Sequence, residues 1–183
     1  MVEQRSAKIL LVDDEPNVLR ALSRILNQYD ATYLTSGEEA LLLAKEQAFD
    51  LVISDFRMPG MDGIRFLSRF MQLQPDAIRI ILTGHADIEN TQAAINEAEV
   101  YRFINKPWNN ADVHFAVQRG IEHKKMLAEN RQLADKVREQ QKLLAEKDAI
   151  LNALETEEPG ITKVNWSNDG AIILDEEDLK DFK

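Results

Sequence analysis

A chain of 183 residues, 44% hydrophobic and 30% charged, has the size and composition of one ordinary globular domain with an appendage or of two small ones, which excludes a large multidomain enzyme, a collagen-like polymer and a membrane bundle. The longest apolar run is Ala40–Ala44, the start Met1–Ser6 has no apolar signal segment and there is no cysteine, so the protein is expected in the cytoplasm, without a membrane partner, disulfides or thiolate metal sites. The net charge is −10, and residues 156–183 carry three basic against eight acidic side chains; no stretch clusters the Lys and Arg that displace counterions from a phosphate backbone, which argues against direct nucleic-acid binding.

In chain order, five short apolar runs alternate with segments of helical period: Lys8–Val12, Ala31–Leu34, Leu51–Ser54, Arg79–Leu82 and Tyr101–Ile104. Most are apolar throughout, as in strands buried on both faces of a parallel sheet. After the first run, Pro16 in an opening helical turn precedes a stripe of Val18, Leu19, Leu22, Ile25 and Leu26. Ser36 and Glu39 have capping-box spacing ahead of a second helix, Gly63 opens a third with Ile64, Phe66, Leu67 and Phe70, and Ile88–Ala98 supplies a fourth. The alternation predicts an α/β fold with a doubly wound five-stranded parallel sheet.

From about Asn110 there is no Gly after Gly120 and no Pro before Pro159, which predicts one helix of about 40 residues, against a usual ~11–12. Steps of four and three place Met126, Asn130, Leu133, Val137, Gln140, Leu144, Lys147, Leu151 and Leu154 on one seam, so a coiled-coil partner is expected over residues 123–156, most simply in a parallel homodimer. Beyond the break at Glu157–Gly160, Ile161–Trp166 and Ala171–Leu174 flank a turn-like Ser167–Gly170 and predict a short acidic β-hairpin module over 157–183.

Ligands of a doubly wound sheet sit beyond the carboxyl ends of its strands. Those ends carry Asp13 and Asp14, Asp55, Thr83 and, just after the fifth run, Lys106. Three carboxylates facing one crevice need a cation between them, and an all-oxygen set suits a hard ion such as Mg²⁺. Beside such an ion a carboxylate can act as a nucleophile toward phosphorus, with a hydroxyl and an ammonium to receive the phosphoryl oxygens.

Val12-Asp13-Asp14-Glu15-Pro16, Asp55 through Gly63, Leu82-Thr83-Gly84 and Lys106-Pro107 together resemble the receiver domain of two-component response regulators, over roughly residues 7–123. The resemblance implies a flavodoxin-like domain over 1–122 in which Asp55 is the phosphoacceptor for a histidine kinase or phosphotransfer protein. It implies Mg²⁺ (or Mn²⁺) bound by Asp13, Asp14, Asp55 and the backbone carbonyl of Arg57. Thr83 would be the switch hydroxyl, Lys106 the ion partner of the phosphoryl group and Phe103 the switch aromatic. The positions that tune phosphate loss in the family are Arg57 and His85 here. Trp108 is expected to pack at the start of the last helix.

Only an acidic stretch of 27 residues follows the predicted coil, too little for a winged-helix output, and none of His85, His114 and His123 is followed by Asp as in hydrolase outputs. The expectation is therefore a phosphorylation-activated regulator, not an enzyme beyond slow loss of its own phosphate, whose coil and terminal module bind a downstream effector protein. An amino-terminal fragment of a larger regulator and an aspartate-nucleophile phosphohydrolase are the alternatives.

Overall fold

The computed structural model describes residues 6–84, 98–157, 165–166 and 172–173. The predicted fourth helix, apart from Ala98, and His85 lie outside the described residues, as does most of the terminal module. Contacts divide the chain into two compact units, Met1–Glu129 and Asn130–Lys183.

The first unit contains β1 (Lys8–Val12), α1 (Pro16–Ile25), β2 (Asp30–Leu34), α2 (Gly37–Glu46), β3 (Leu51–Asp55), α3 (Gly63–Leu73), β4 (Ile78–Thr83), β5 (Arg102–Asn105) and the beginning of a long helix, Asn110–Glu157. The strands form one sheet in the order β2-β1-β3-β4-β5, with every pairing parallel. β3 and β4 are buried at every residue, which is why their sequences are apolar rather than alternating.

Each sheet face has its own helical cover. Leu10, Val12, Val52 and Ile81 point toward α2 and α3 and pack with Ala40, Ala44, Phe66, Leu67 and Phe70. On the opposite face Ile9, Leu11, Ile53, Ile80 and Ile104 pack with Leu19 and Leu22 of α1 and with Val113, Ala116 and Val117 of the long helix. Gly120 continues that contact: a Cβ there would lie 2.9 Å from Leu51 Cδ1 and 3.0 Å from the Ile78 methyl. This glycine is an absence of bulk under a sheet, not a helix stop.

Local chemistry sets the helix starts. Pro16 occupies the first turn of α1, where its missing N–H costs nothing. The Ser36 Oγ accepts from the Glu39 N–H at 3.4 Å, while its own hydroxyl donates to the Glu38 carboxylate, so the predicted cap forms with Glu38 as its acidic partner. Asp62 caps α3 by accepting from the Arg65 N–H.

Within the second unit the helix runs to Glu157, so the complete helix has 48 residues. Leu133, Val137, Leu143, Leu144, Ile150, Leu151 and Leu154 are all exposed on it. Asn165–Trp166 pairs antiparallel with Ile172–Ile173, while the turn predicted between them lies outside the described residues. No helix among the described residues is long and apolar enough to cross a membrane.

Candidate functional site

The register pair Leu11↔Ile53 determines where two of the acids meet. Side chains alternate along a strand, so Asp13 and Asp55, each two residues further on, emerge side by side from the same sheet face. Both are buried, at 1% and 7% exposure, while Asp14 is half-buried.

Lys106 follows β5 and reaches back over this pair. Its Nζ donates to Asp55 Oδ1 at 2.7 Å and to Asp13 Oδ2 at 2.9 Å, one ammonium bridging two carboxylates. The backbone holds the lysine in place, since the Lys106 N–H donates to the Thr83 carbonyl. The remaining oxygens are also used: Asp55 Oδ2 accepts from the Arg57 N–H at 2.9 Å and Asp13 Oδ1 from the Glu15 N–H at 2.9 Å. Burial pushes the Asp13 carboxyl above the usual carboxylate range, more than the hydrogen bonds from Lys106 and the Glu15 N–H lower it. Burial also acts to lower the Lys106 ammonium, but hydrogen bonds to Asp55 and Asp13 outweigh it and hold the group above the ordinary lysine value.

The turn after β3 is shaped by close approach. A Cβ on Gly63 would fall 2.0 Å from the Asp55 carbonyl oxygen, so only glycine lets α3 begin against the backbone of Asp55. The Gly63 N–H donates to the Phe56 carbonyl at 2.9 Å, and Gly60 takes a φ of 79° within the same turn. Arg57 thereby sits at the mouth of the site with its side chain exposed.

Thr83 is 2% exposed and its Oγ1 donates to the Gly84 carbonyl at 3.1 Å. Ile81 pairs with Phe103, so Thr83 and Phe103 share one sheet face on neighbouring strands, and the half-buried Phe103 ring packs against the α2–α3 core. Trp108 packs on the opposite core, in keeping with a packing role.

The donor set is chemically suited to a hard divalent cation: carboxylates and a backbone carbonyl, all oxygen. Among the described residues no three His, Cys, Asp or Glu side chains are gathered closely enough to hold a metal unaided, so an ion here would need the Arg57 carbonyl and water. That suits Mg²⁺, which keeps several of its waters.

The response regulator receiver domain family matches this sequence over residues 9–118. The chain belongs to that family. Over 108 residues the receiver is 35% identical to the hydrogenase transcriptional regulatory protein HoxA of Cupriavidus necator, a match covering 58% of this chain and 22% of that protein. It is 34% identical over 123 residues to the transcriptional regulatory protein GlrR of Escherichia coli, covering 66% and 28% respectively. The chain therefore spans 22–28% of the length of these curated relatives. Among solved structures, the signal receiver domain of an HD domain-containing protein from Pseudomonas fluorescens is similar with a TM-score of 0.66 at 35% identity, over 70% of this chain and 96% of that one.

The bridge from Lys106 to Asp13 was not anticipated from the sequence, which suggested the lysine only as a partner for the phosphoryl group. The two residues are 93 positions apart and no local signal links them. The close approach of Gly63 to Asp55 was likewise hidden behind its reading as the residue that opens a helix.

Proposed function

We propose that Asp55 of this two-component receiver accepts a phosphoryl group from a histidine kinase, a phosphotransfer protein or a small phosphodonor, and that the phosphorylated chain acts through protein contacts. The bridging of Asp13 and Asp55 by Lys106 is the observation that carries this reading. Two buried carboxylates sharing one ammonium at the end of the sheet where ligands bind support a nucleophilic role for Asp55.

In this mechanism a carboxylate oxygen of Asp55 attacks phosphorus, and the bond to the donor's nitrogen or oxygen breaks with its electrons leaving on the donor. Asp14, Asp55 and the Arg57 carbonyl, with Asp13 largely through water, would hold Mg²⁺ or Mn²⁺, which would neutralise the phosphoryl charge. Lys106 then gives up its bond to the reacting carboxylate and follows the new phosphoryl oxygens. Thr83 turns its hydroxyl from the Gly84 carbonyl toward the same oxygens, and the space it vacates on the shared sheet face is filled by Phe103. Two packings of one face are thus biased by phosphate.

The same reading divides the chain into a receiver over 1–122, a dimerising coil over 123–156 and a terminal module over 157–183. The exposed seam of Leu133, Val137, Leu144, Leu151 and Leu154 supports the coil. A second reading, an amino-terminal regulatory portion of a longer regulator, is favoured by the relatives being several times longer than this chain.

Treatment with Mg²⁺ and a small phosphodonor should add the mass of one phosphoryl group, and Asp55→Asn should abolish it. Labelling that persists in the variant would overturn the assignment, and steady turnover of many equivalents of a phosphomonoester would favour a phosphohydrolase.

A further inference from the structure

The long helix is not uniformly adhesive. Of its exposed aliphatic side chains beyond residue 129, Leu133 and Val137 form one i, i+4 pair confined to the seam, whereas Leu143, Leu144, Ile150, Leu151 and Leu154 crowd the last turns. With Leu144 and Leu151 at position a and Leu154 at position d of the heptad, Leu143 and Ile150 fall at position g. The apolar strip is then wider than the two-position seam a paired coil consumes. Leu143 is 53% and Ile150 is 60% exposed.

The borders of this strip are acidic. At about 100° per residue, Glu139, Glu146 and Glu157 lie beyond the g edge, and Asp148 and Glu155 beyond the a edge. In a parallel dimer, position g of one helix lies beside position e of the other. Leu143 and Ile150 would then floor a groove walled by Glu139 and Glu146 of one copy and by Asp148 and Glu155 of the second copy.

We propose that this groove is a docking site for an amphipathic helix with lysine or arginine along the borders of its apolar face, supplied by an effector protein. The proposal rests on the dimeric coil above, whose seam orients the two walls. Charge selects the occupant. A second coil of this chain would bring acid against acid, and an anionic membrane surface would be repelled, whereas a basic helix covers the aliphatic floor and brings further cations to both walls, where Lys142 already lies 4.0 Å from Glu146.

The probe is a fluorescently labelled helical peptide of leucine and lysine, with a leucine–glutamate peptide of equal amphipathicity as the control. Both are titrated against the full chain by anisotropy, while sedimentation reports its oligomeric state. The lysine peptide should bind and weaken with added salt, and the glutamate peptide should not bind. Leu143→Ser with Ile150→Ser should weaken binding roughly tenfold or more without dissociating the dimer. Glu146→Lys with Asp148→Lys should weaken it comparably while leaving helicity by circular dichroism unchanged.

Equal binding of both peptides, or affinity indifferent to both double variants, overturns the proposal. A wild-type tetramer that Leu143→Ser with Ile150→Ser reduces to a dimer overturns it as well, by assigning the strip to another copy of the coil. A monomeric wild type defeats the dimer reading instead, and sedimentation distinguishes that failure from a failure to bind the peptide.

Discussion

Asp13 is buried at a cost to the fold. Its burial favours the protonated carboxyl, so the folded form takes up a proton more readily than the unfolded chain, whose Asp13 titrates at the ordinary value. The contribution is most favourable at low pH and declines as pH rises through the raised pKa. At neutral pH the ionised group opposes folding. Asp13→Asn should therefore melt a few degrees higher than wild type in metal-free buffer while gaining less from added Mg²⁺, which thermal denaturation with and without chelator measures directly. Protonation also competes with the cation, so Mg²⁺ affinity in the wild type should decline as pH falls through the same range. Thr83 presents a different case, because its hydroxyl is satisfied within its own backbone at Gly84 and can be removed without orphaning a buried partner. Thr83→Ala should accept phosphate nearly as well as wild type but leave the Phe103 face unmoved. Amide spectra of the phosphorylated proteins test this, and identical shifts over β5 and the start of the long helix would refute the coupling.

At the scale of elements, the long helix does two jobs with different residues. Val113, Ala116, Val117 and Gly120 are buried under the sheet, and Lys124 closes this stretch by donating to Asp50 Oδ1 at 2.6 Å. Small side chains admit the helix to the sheet there. Past Glu129 the same helix carries exposed leucines and no buried residue. An isolated helix so polar on its other faces is marginal in water, and the proposed pairing would supply the missing burial. Leu144→Asp with Leu151→Asp should convert a micromolar dimer to a monomer in sedimentation and reduce helicity, while leaving phosphodonor labelling of Asp55 within about twofold. A dimer that survives both substitutions excludes this seam.

For the whole molecule, charge is distributed by role. Asp13 and Asp55 are buried and bridged by Lys106, while the acids of residues 156–183 share that stretch of sequence with apolar Ile161, Val164, Trp166 and Ile172–Leu174. A two-stranded ladder needs a surface to pack on. Deletion of 159–183 should spare phosphorylation and dimerisation and abolish the response of the downstream pathway, and effector binding by the intact chain should weaken with salt. Loss of dimerisation or solubility on deletion would assign the segment to the fold instead.

Much of this protein is determined by its sequence alone. Apolar runs without alternation foretold a sheet covered on both faces, and β1 through β5 formed within a residue or two of the expected bounds because strand identity depends on local period. The acids at the strand ends were legible for the same reason, since topology alone carries strand ends to one edge. The long helix was legible as well, being a stretch free of breakers, although it extends to 48 residues. Relations between distant residues were decided only by the tertiary structure. The sharing of Lys106 between Asp13 and Asp55, the approach of Gly63 to the Asp55 carbonyl and the alignment of Thr83 with Phe103 depend on inter-strand register. Register is set by the packing of two faces at once, which no local window of sequence contains.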